Sequence, residues 1–148
     1  MSKINYTPED LVDHNAVAAI IKDKNGNILM QDHVKFGFWT IPIGKAHPNQ
    51  SPRTAIKQEI FEECNLHLKK FQKIGTKKYY YVRDGKDVHL TLHLYEIFSY
   101  SGDLENKEPH KHHQQKFLSL EKIKTLQYLS DATIFYLEKI GYKRPAKL

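Results

Sequence analysis

GKAHPNQSPRTAIKQEIFEECNL, residues 44–66, is the stretch from which the rest of the chain is read. Its centre, Glu59-Ile60-Phe61-Glu62-Glu63, places three carboxylates within five residues. In a helix each residue turns the chain by about 100°, so Glu59, Glu62 and Glu63 share one arc of about 100°. Like charges crowded in that way repel, and a helix that keeps them calls for a cation in front. Hard oxygen donors suit Mg²⁺ or Mn²⁺. Ile56, Ile60, Phe61 and Cys64 take the neighbouring arc and are expected to face a core. Ala55 falls inside the carboxylate arc, where a small side chain leaves room for a ligand. Ser51 as N-cap and Pro52 at the first helical position start the helix. Asn65 tolerates the left-handed conformation that ends one. A solvated acidic helix face would carry the same three residues. The context decides for a ligand: Phe38-Trp39-Thr40-Ile41-Pro42 reads as a short strand running into a glycine loop, Ile43-Gly44-Lys45.

This stretch resembles the signature of the Nudix hydrolases, which runs Gly, five residues, Glu, seven residues, then Arg-Glu-apolar-x-Glu-Glu-x-Gly-apolar. Gly44, Glu59, Ile60, Glu62, Glu63 and Leu66 match without a gap. Trp39-Thr40-Ile41-Pro42-Ile43-Gly44 resembles the family's W-x-x-P-G-G lead-in, with Ile43 in place of one Gly. Gln50, Gln58 and Asn65 stand where the family has Glu, Arg and Gly. The two Gln replace an acid and a base together, so the charge of the motif is kept, and their amides can bond each other or orient Glu59. The resemblance implies an α/β fold, a Nudix-type mixed β-sheet packed between helices (an α/β/α sandwich). It also implies a metal held by Gly44, Glu59, Glu62 and Glu63, with Glu59, Glu62 and Glu63 as the catalytic carboxylates.

The chain has 148 residues, 40% of them hydrophobic, and residues 1–148 are expected to form a single domain with its own core. One cysteine excludes an internal disulfide and suits a reducing cytosol. No apolar run reaches the length of a membrane span and Met1-Ser2-Lys3 opens no signal peptide, so a soluble, cytoplasmic protein is expected. A formal charge of +6 favours anionic partners: nucleotides, pyrophosphates and, further off, an RNA 5′ end.

From the N-terminus, Thr7-Pro8-Glu9-Asp10 can cap a helical turn. Ala16–Lys22 reads as a buried strand, Asn25-Gly26 as a hairpin turn, and Asn27–Gln31 as the returning strand. Phe36 and Trp39 are aromatic candidates for stacking a nucleobase, and Lys45 for a phosphate contact. Lys70–Val82 and Val88–Ser99 are expected to form a hairpin about Arg83–Lys86. On the second strand His89 and His93 share a face that can point at the cleft. Ser101–Gln115 is expected to be a loop. The family resemblance implies a late carboxylate near this region, yet His113 and Gln114 stand where one is sought. Glu108 is then a candidate late ligand, and His112 or His113 a candidate base. His110, His112 and His113 also admit a transition-metal reading. Lys116–Glu121 reads as a short strand and helix start, Asp131–Ile140 as a last helix ended by Gly141, and Lys143–Leu148 as a basic tail that frays.

The function expected from this reading is metal-dependent hydrolysis of the diphosphate linkage in a nucleoside diphosphate joined to another moiety, such as ADP-ribose, a dinucleoside polyphosphate, a dinucleotide cofactor or a nucleotide sugar. The competing expectations are a nucleotide-binding regulatory module with weakened turnover, and an RNA 5′-end pyrophosphohydrolase. Dimerisation is open, although members of the family often pair.

Overall fold

Val17, Ala18, Ala19, Ile20 and Ile21 are all fully buried, so this run must be covered on both faces. It belongs to β1 (Asp13–Ile20), which lies inside a four-stranded mixed sheet. On one side β1 pairs antiparallel with β4 (Ile43–Lys45); on the other it runs parallel to β6 (Lys86–Ser101), which pairs with β5 (His67–Arg83). A second sheet has the order β3 (Trp39–Thr40), β2 (Ile28–His33), β7 (His112–Leu118). The computed structural model describes residues 13–142. The helical turn expected at Thr7–Asp10 and the tail Lys143–Leu148 lie outside the described residues.

Strand alternation divides the core into two clusters. Val17, Ala19 and Ile21 meet Ala55, Ile56, Ile60 and Cys64 of α1 (Pro52–Cys64). Ala18, Ile20, Leu92 and Leu94 meet Ala132, Tyr136 and Leu137 of α3 (Asp131–Lys139), joined by Ile123 of α2 (Leu120–Thr125). Helices therefore cover both faces of a mixed sheet, which is the α/β layering expected from the sequence. Among the described residues no helix is long and apolar enough to cross a membrane.

Several boundaries differ from the sequence reading. The Asn25-Gly26 turn is present, with Gly26 at φ +82° and both Asn25 and Asn27 donating N–H to Asp23 Oδ1. The hairpin it suggested is reduced to the bridge Lys22↔Ile28, made by the Asp23 N–H on the Asn27 carbonyl and the Leu29 N–H on the Ile21 carbonyl. Beyond that the strands part into different sheets, because β4 and β6 occupy both edges of β1 while β3 and β7 occupy both edges of β2. The expected strand 38–42 stops at Thr40, and Ile43-Gly44-Lys45, expected as a loop, is strand β4. The expected loop 101–115 is shorter than read, since β7 begins at His112. The Asp84-Gly85 turn has positive φ at both residues, which suits the tight hairpin between β5 and β6.

Candidate active site

Helix α1 starts and stops as its sequence predicts. Ser51 Oγ accepts the Thr54 N–H at 3.1 Å, Pro52 follows, and Asn65 closes the helix at φ 63° and ψ 27°. Two details of its faces are corrected. Ala55 does not line an open ligand space but is buried in the core with Ile56 and Ile60. Phe61 turns outward, 39% exposed, with Lys107 Nζ 4.4 Å from its ring centroid.

Two of the three carboxylates go into the protein. Glu63 is fully buried and Glu59 is 5% exposed. Glu59 lies flat against Gly44: a Cβ built there would meet its Oε2 at 2.5 Å and its Cδ and Cγ at 2.6 Å. Glycine at this point is therefore the seat of the carboxylate. Burial, then the charge of Glu63 and a hydrogen bond between the two side chains, push the Glu59 carboxyl up to about 8, so the pair resists carrying two charges at once. Both residues sit in the C-terminal half of α1, where the helix dipole disfavours negative charge and sharpens the demand for a cation. Glu62 is half-buried and accepts from Gln58 Nε2 at 2.8 Å. Gln50 Nε2 donates to Gln58 Oε1 at 2.6 Å, and Gln50 Oε1 accepts the His47 N–H at 2.9 Å. The two amides do bond each other, as read; the carboxylate they orient is Glu62 rather than Glu59.

Facing α1 is a polar wall the sequence reading missed. Gln31 Nε2 donates to Glu63 Oε1 at 3.0 Å, and Gln115 Nε2 donates to the Glu63 carbonyl at 2.8 Å. Lys111 Nζ lies 3.3 Å from Glu63 Oε2 and 3.8 Å from Glu108 Oε1. Glu108, 5% exposed, is thus the residue of the loop before β7 that turns inward to this cluster. The loop is fastened to the end of α1 by the Lys107 N–H on the Glu63 carbonyl, the Glu105 N–H on the Cys64 carbonyl and Asn65 Nδ2 on the Asp103 carbonyl. Cys64 is buried beside them, its thiol pushed up by burial and donating to Gln115 Oε1.

The remaining candidates scatter. His112 is buried and held neutral, pushed down to about 3 by burial first and then by Lys111, His33 and His110. Its ring stands edge-on to His33 at 5.5 Å, and His33 in turn packs with Phe36 and Phe38. His113, next along the strand, is exposed. Phe36 is 54% exposed at the rim of this aromatic group. Trp39 packs against the cluster beneath α2 and α3, not against α1. Lys45 follows Gly44 in β4, and alternation assigns it to the opposite face of the sheet. On β6, His93 Nε2 pairs with Asn15 Oδ1 at 2.9 Å, while His89 stands edge-on to Tyr80. Among the described residues no three His, Cys, Asp or Glu side chains are grouped so as to hold a metal ion.

A helix across a mixed sheet, with a glycine strand seating the first of three helical carboxylates, is the arrangement of a known family. The NUDIX domain matches residues 12–137, and the chain belongs to the Nudix hydrolase family. By class it is a Nudix-type pyrophosphohydrolase. It is 27% identical over 96 residues to an 8-oxo-dGTP diphosphatase of Proteus vulgaris, covering 62% of this chain and 81% of that protein. It is 34% identical over 74 residues to an RNA pyrophosphohydrolase of Hamiltonella defensa, a match that spans 50% of this chain and 45% of the relative. A MutT NUDIX hydrolase from Burkholderia pseudomallei superposes with a TM-score of 0.76 at 24% identity, over 86% of this chain and 98% of the other. The NUDIX domain of Shewanella oneidensis NrtR, solved with ADP ribose, superposes at 0.70 and 12% identity, over 92% of both chains.

Proposed function

We propose that this protein hydrolyses the diphosphate linkage of a nucleoside diphosphate joined to another moiety, with Mg²⁺ or Mn²⁺ held by Glu59, Glu62, Glu63 and the Gly44 carbonyl. The observation that carries the reading is the buried Glu59–Glu63 pair seated on Gly44, two acidic groups too close to be charged together without added positive charge. The donor set is all hard oxygen, which fits these ions. A divalent ion held there would neutralise the pyrophosphate and polarise the phosphorus under attack. Glu59, seated on Gly44 beside Glu63, suits orienting or deprotonating the attacking water. Gln31 fixes one oxygen of Glu63, so that its carboxylate keeps one orientation while the other oxygen serves a cation. Phe36, exposed beside His33, suits contact with a base.

The relatives named for 8-oxo-dGTP and for RNA support a nucleotide-derived polyphosphate and leave its second moiety open. The test is product release from a panel: ADP-ribose, a dinucleoside polyphosphate, a dinucleotide cofactor, a nucleotide sugar, 8-oxo-dGTP and a 5′-triphosphorylated oligoribonucleotide. Each is run with Mg²⁺, with Mn²⁺ and with EDTA. Metal-dependent cleavage of one of the first four supports the proposal. Turnover of the oligoribonucleotide or of 8-oxo-dGTP alone replaces it, and turnover that survives EDTA removes the metal.

A further inference from the structure

Lys111 brings an ammonium into the carboxylate cluster. Its backbone is fixed: the N–H bonds the Glu108 carbonyl at 2.9 Å, and the carbonyl accepts the Val34 N–H at 2.9 Å. Its side chain is a flexible four-carbon tether ending in an ammonium. That ammonium reaches inward to Glu63 Oε2, the oxygen that Gln31 leaves open, and spans to Glu108 Oε1. The side chain keeps 22% exposure against none for Glu63, so it closes the cluster on its solvent side. A dication received by the same oxygen would meet this ammonium at short range, where the two positive charges repel.

We propose that Lys111 is a tethered counter-ion that occupies Glu63 until the metal arrives, so that metal binding and release of Lys111 are a single exchange. The inference rests on the metal reading above. Its consequences are that Lys111 lowers the affinity for metal, and that the freed ammonium comes to stand at the mouth of the cleft, positioned for an anionic substrate. Lys111 acts in this through Glu63 and is a positioning residue.

The experiment is calorimetric titration of Mn²⁺ into the full chain as wild type, Lys111→Met and Lys111→Arg. Lys111→Met is expected to bind Mn²⁺ about tenfold more tightly. It is also expected to unfold at a lower temperature without metal and to gain more in Tm when metal is added. Lys111→Arg keeps the competing charge and is expected to stay close to wild type. A second measurement needs no variant: acylation of the wild-type lysines, mapped by mass spectrometry, should increase at Lys111 when Mn²⁺ is added. Equal or weaker Mn²⁺ binding by Lys111→Met, or Lys111 labelling that is unchanged or reduced by metal, overturns the exchange while leaving the metal reading intact. Absence of Mn²⁺ binding to both wild type and Lys111→Met removes that reading and the exchange together.

Discussion

Replacing Gly44 by alanine tests the seat of Glu59 with a single methyl group. The backbone at Gly44 lies in a strand paired with Val17, so alanine is sterically admissible to the main chain itself. The obstacle is the side chain above it. The new Cβ would meet Glu59 Oε2, Cδ and Cγ at 2.5–2.6 Å, where nonbonded heavy atoms settle at about 3.5 Å. Glu59 must therefore move by about 1 Å. A displacement of that size in a reacting group costs about 10²-fold in rate, close to 2.7 kcal/mol of transition-state stabilisation. Stability should change little: alanine in a strand regains about 0.5–1 kcal/mol over glycine, which offsets part of the cost of displacing the Glu59 carboxyl. The expected Tm is within about 4 °C of wild type. The assay is kcat/KM on the best substrate of the panel at saturating Mg²⁺, beside a thermal melt. Gly26→Ala is the control: at φ +82° with nothing near its added Cβ, it should cost about 1 kcal/mol of stability and no activity. A Gly44→Ala enzyme that keeps its rate within threefold (about 0.7 kcal/mol) refutes the argument that this glycine seats the carboxylate.

Glu59→Gln should abolish most turnover yet stabilise the metal-free protein at pH 8. A carboxyl raised to about 8 in the fold binds more protons than in the unfolded chain, so wild-type stability falls as pH rises from about 4.5 to 8, by at most about 1.4 kcal/mol per unit, and the amide removes that slope; urea melts across this range check it. His112→Phe should act on the acid side. An imidazole pushed down to about 3 is charged only in the unfolded chain between pH 3 and 6.5, so wild type loses stability as pH falls through that window, and the gap to the variant should narrow there and widen at neutral pH. Gln58→Arg keeps a donor for Glu62 but loses the acceptor for Gln50; activity within about threefold is expected, and a collapse of kcat/KM would mean that the paired amides are matched to this site. Glu63→Gln should melt within about 3 kcal/mol of wild type and lose Mn²⁺ binding in calorimetry, since the amide still accepts from Gln31 but no longer answers Lys111.

Much of this architecture can be read from local signals. Ser51, Pro52 and Asn65 mark the ends of α1 because capping is decided within a few residues, and the trio Glu59, Glu62, Glu63 declares its shared face through helical periodicity. The partners of the trio are not local. Gln31 reaches Glu63 across 32 positions and Lys111 across 48, and no period in the chain announces either contact. One signal was available for the first: Leu29, Gln31 and His33 alternate on one face of a buried strand, and polar residues at inward positions ask for a partner. For the second, Lys111 stands between His110 and His112 in a charged stretch with no period, where nothing local marks one lysine as turned inward. The same limit explains the Asn25-Gly26 turn, whose chemistry is local and was legible, while the allotment of its two strands to different sheets depends on edges filled by distant segments.

The amide relay that runs from the loop before α1 to the middle of the helix has a consequence for the conditions under which the protein works. From the His47 N–H through Gln50 and Gln58 to Glu62, each donor meets an acceptor, and the only formal charge in the line is at its end. An acid–base pair in the same two positions would weaken as dissolved electrolyte screens it. Two neutral amides have no charge to screen and no proton to lose over the physiological range. Glu62 is thereby aimed by a brace whose amide–amide link is indifferent to ionic strength and to acidity, and its orientation should persist in brine and in dilute buffer alike for as long as the carboxylate itself stays ionised.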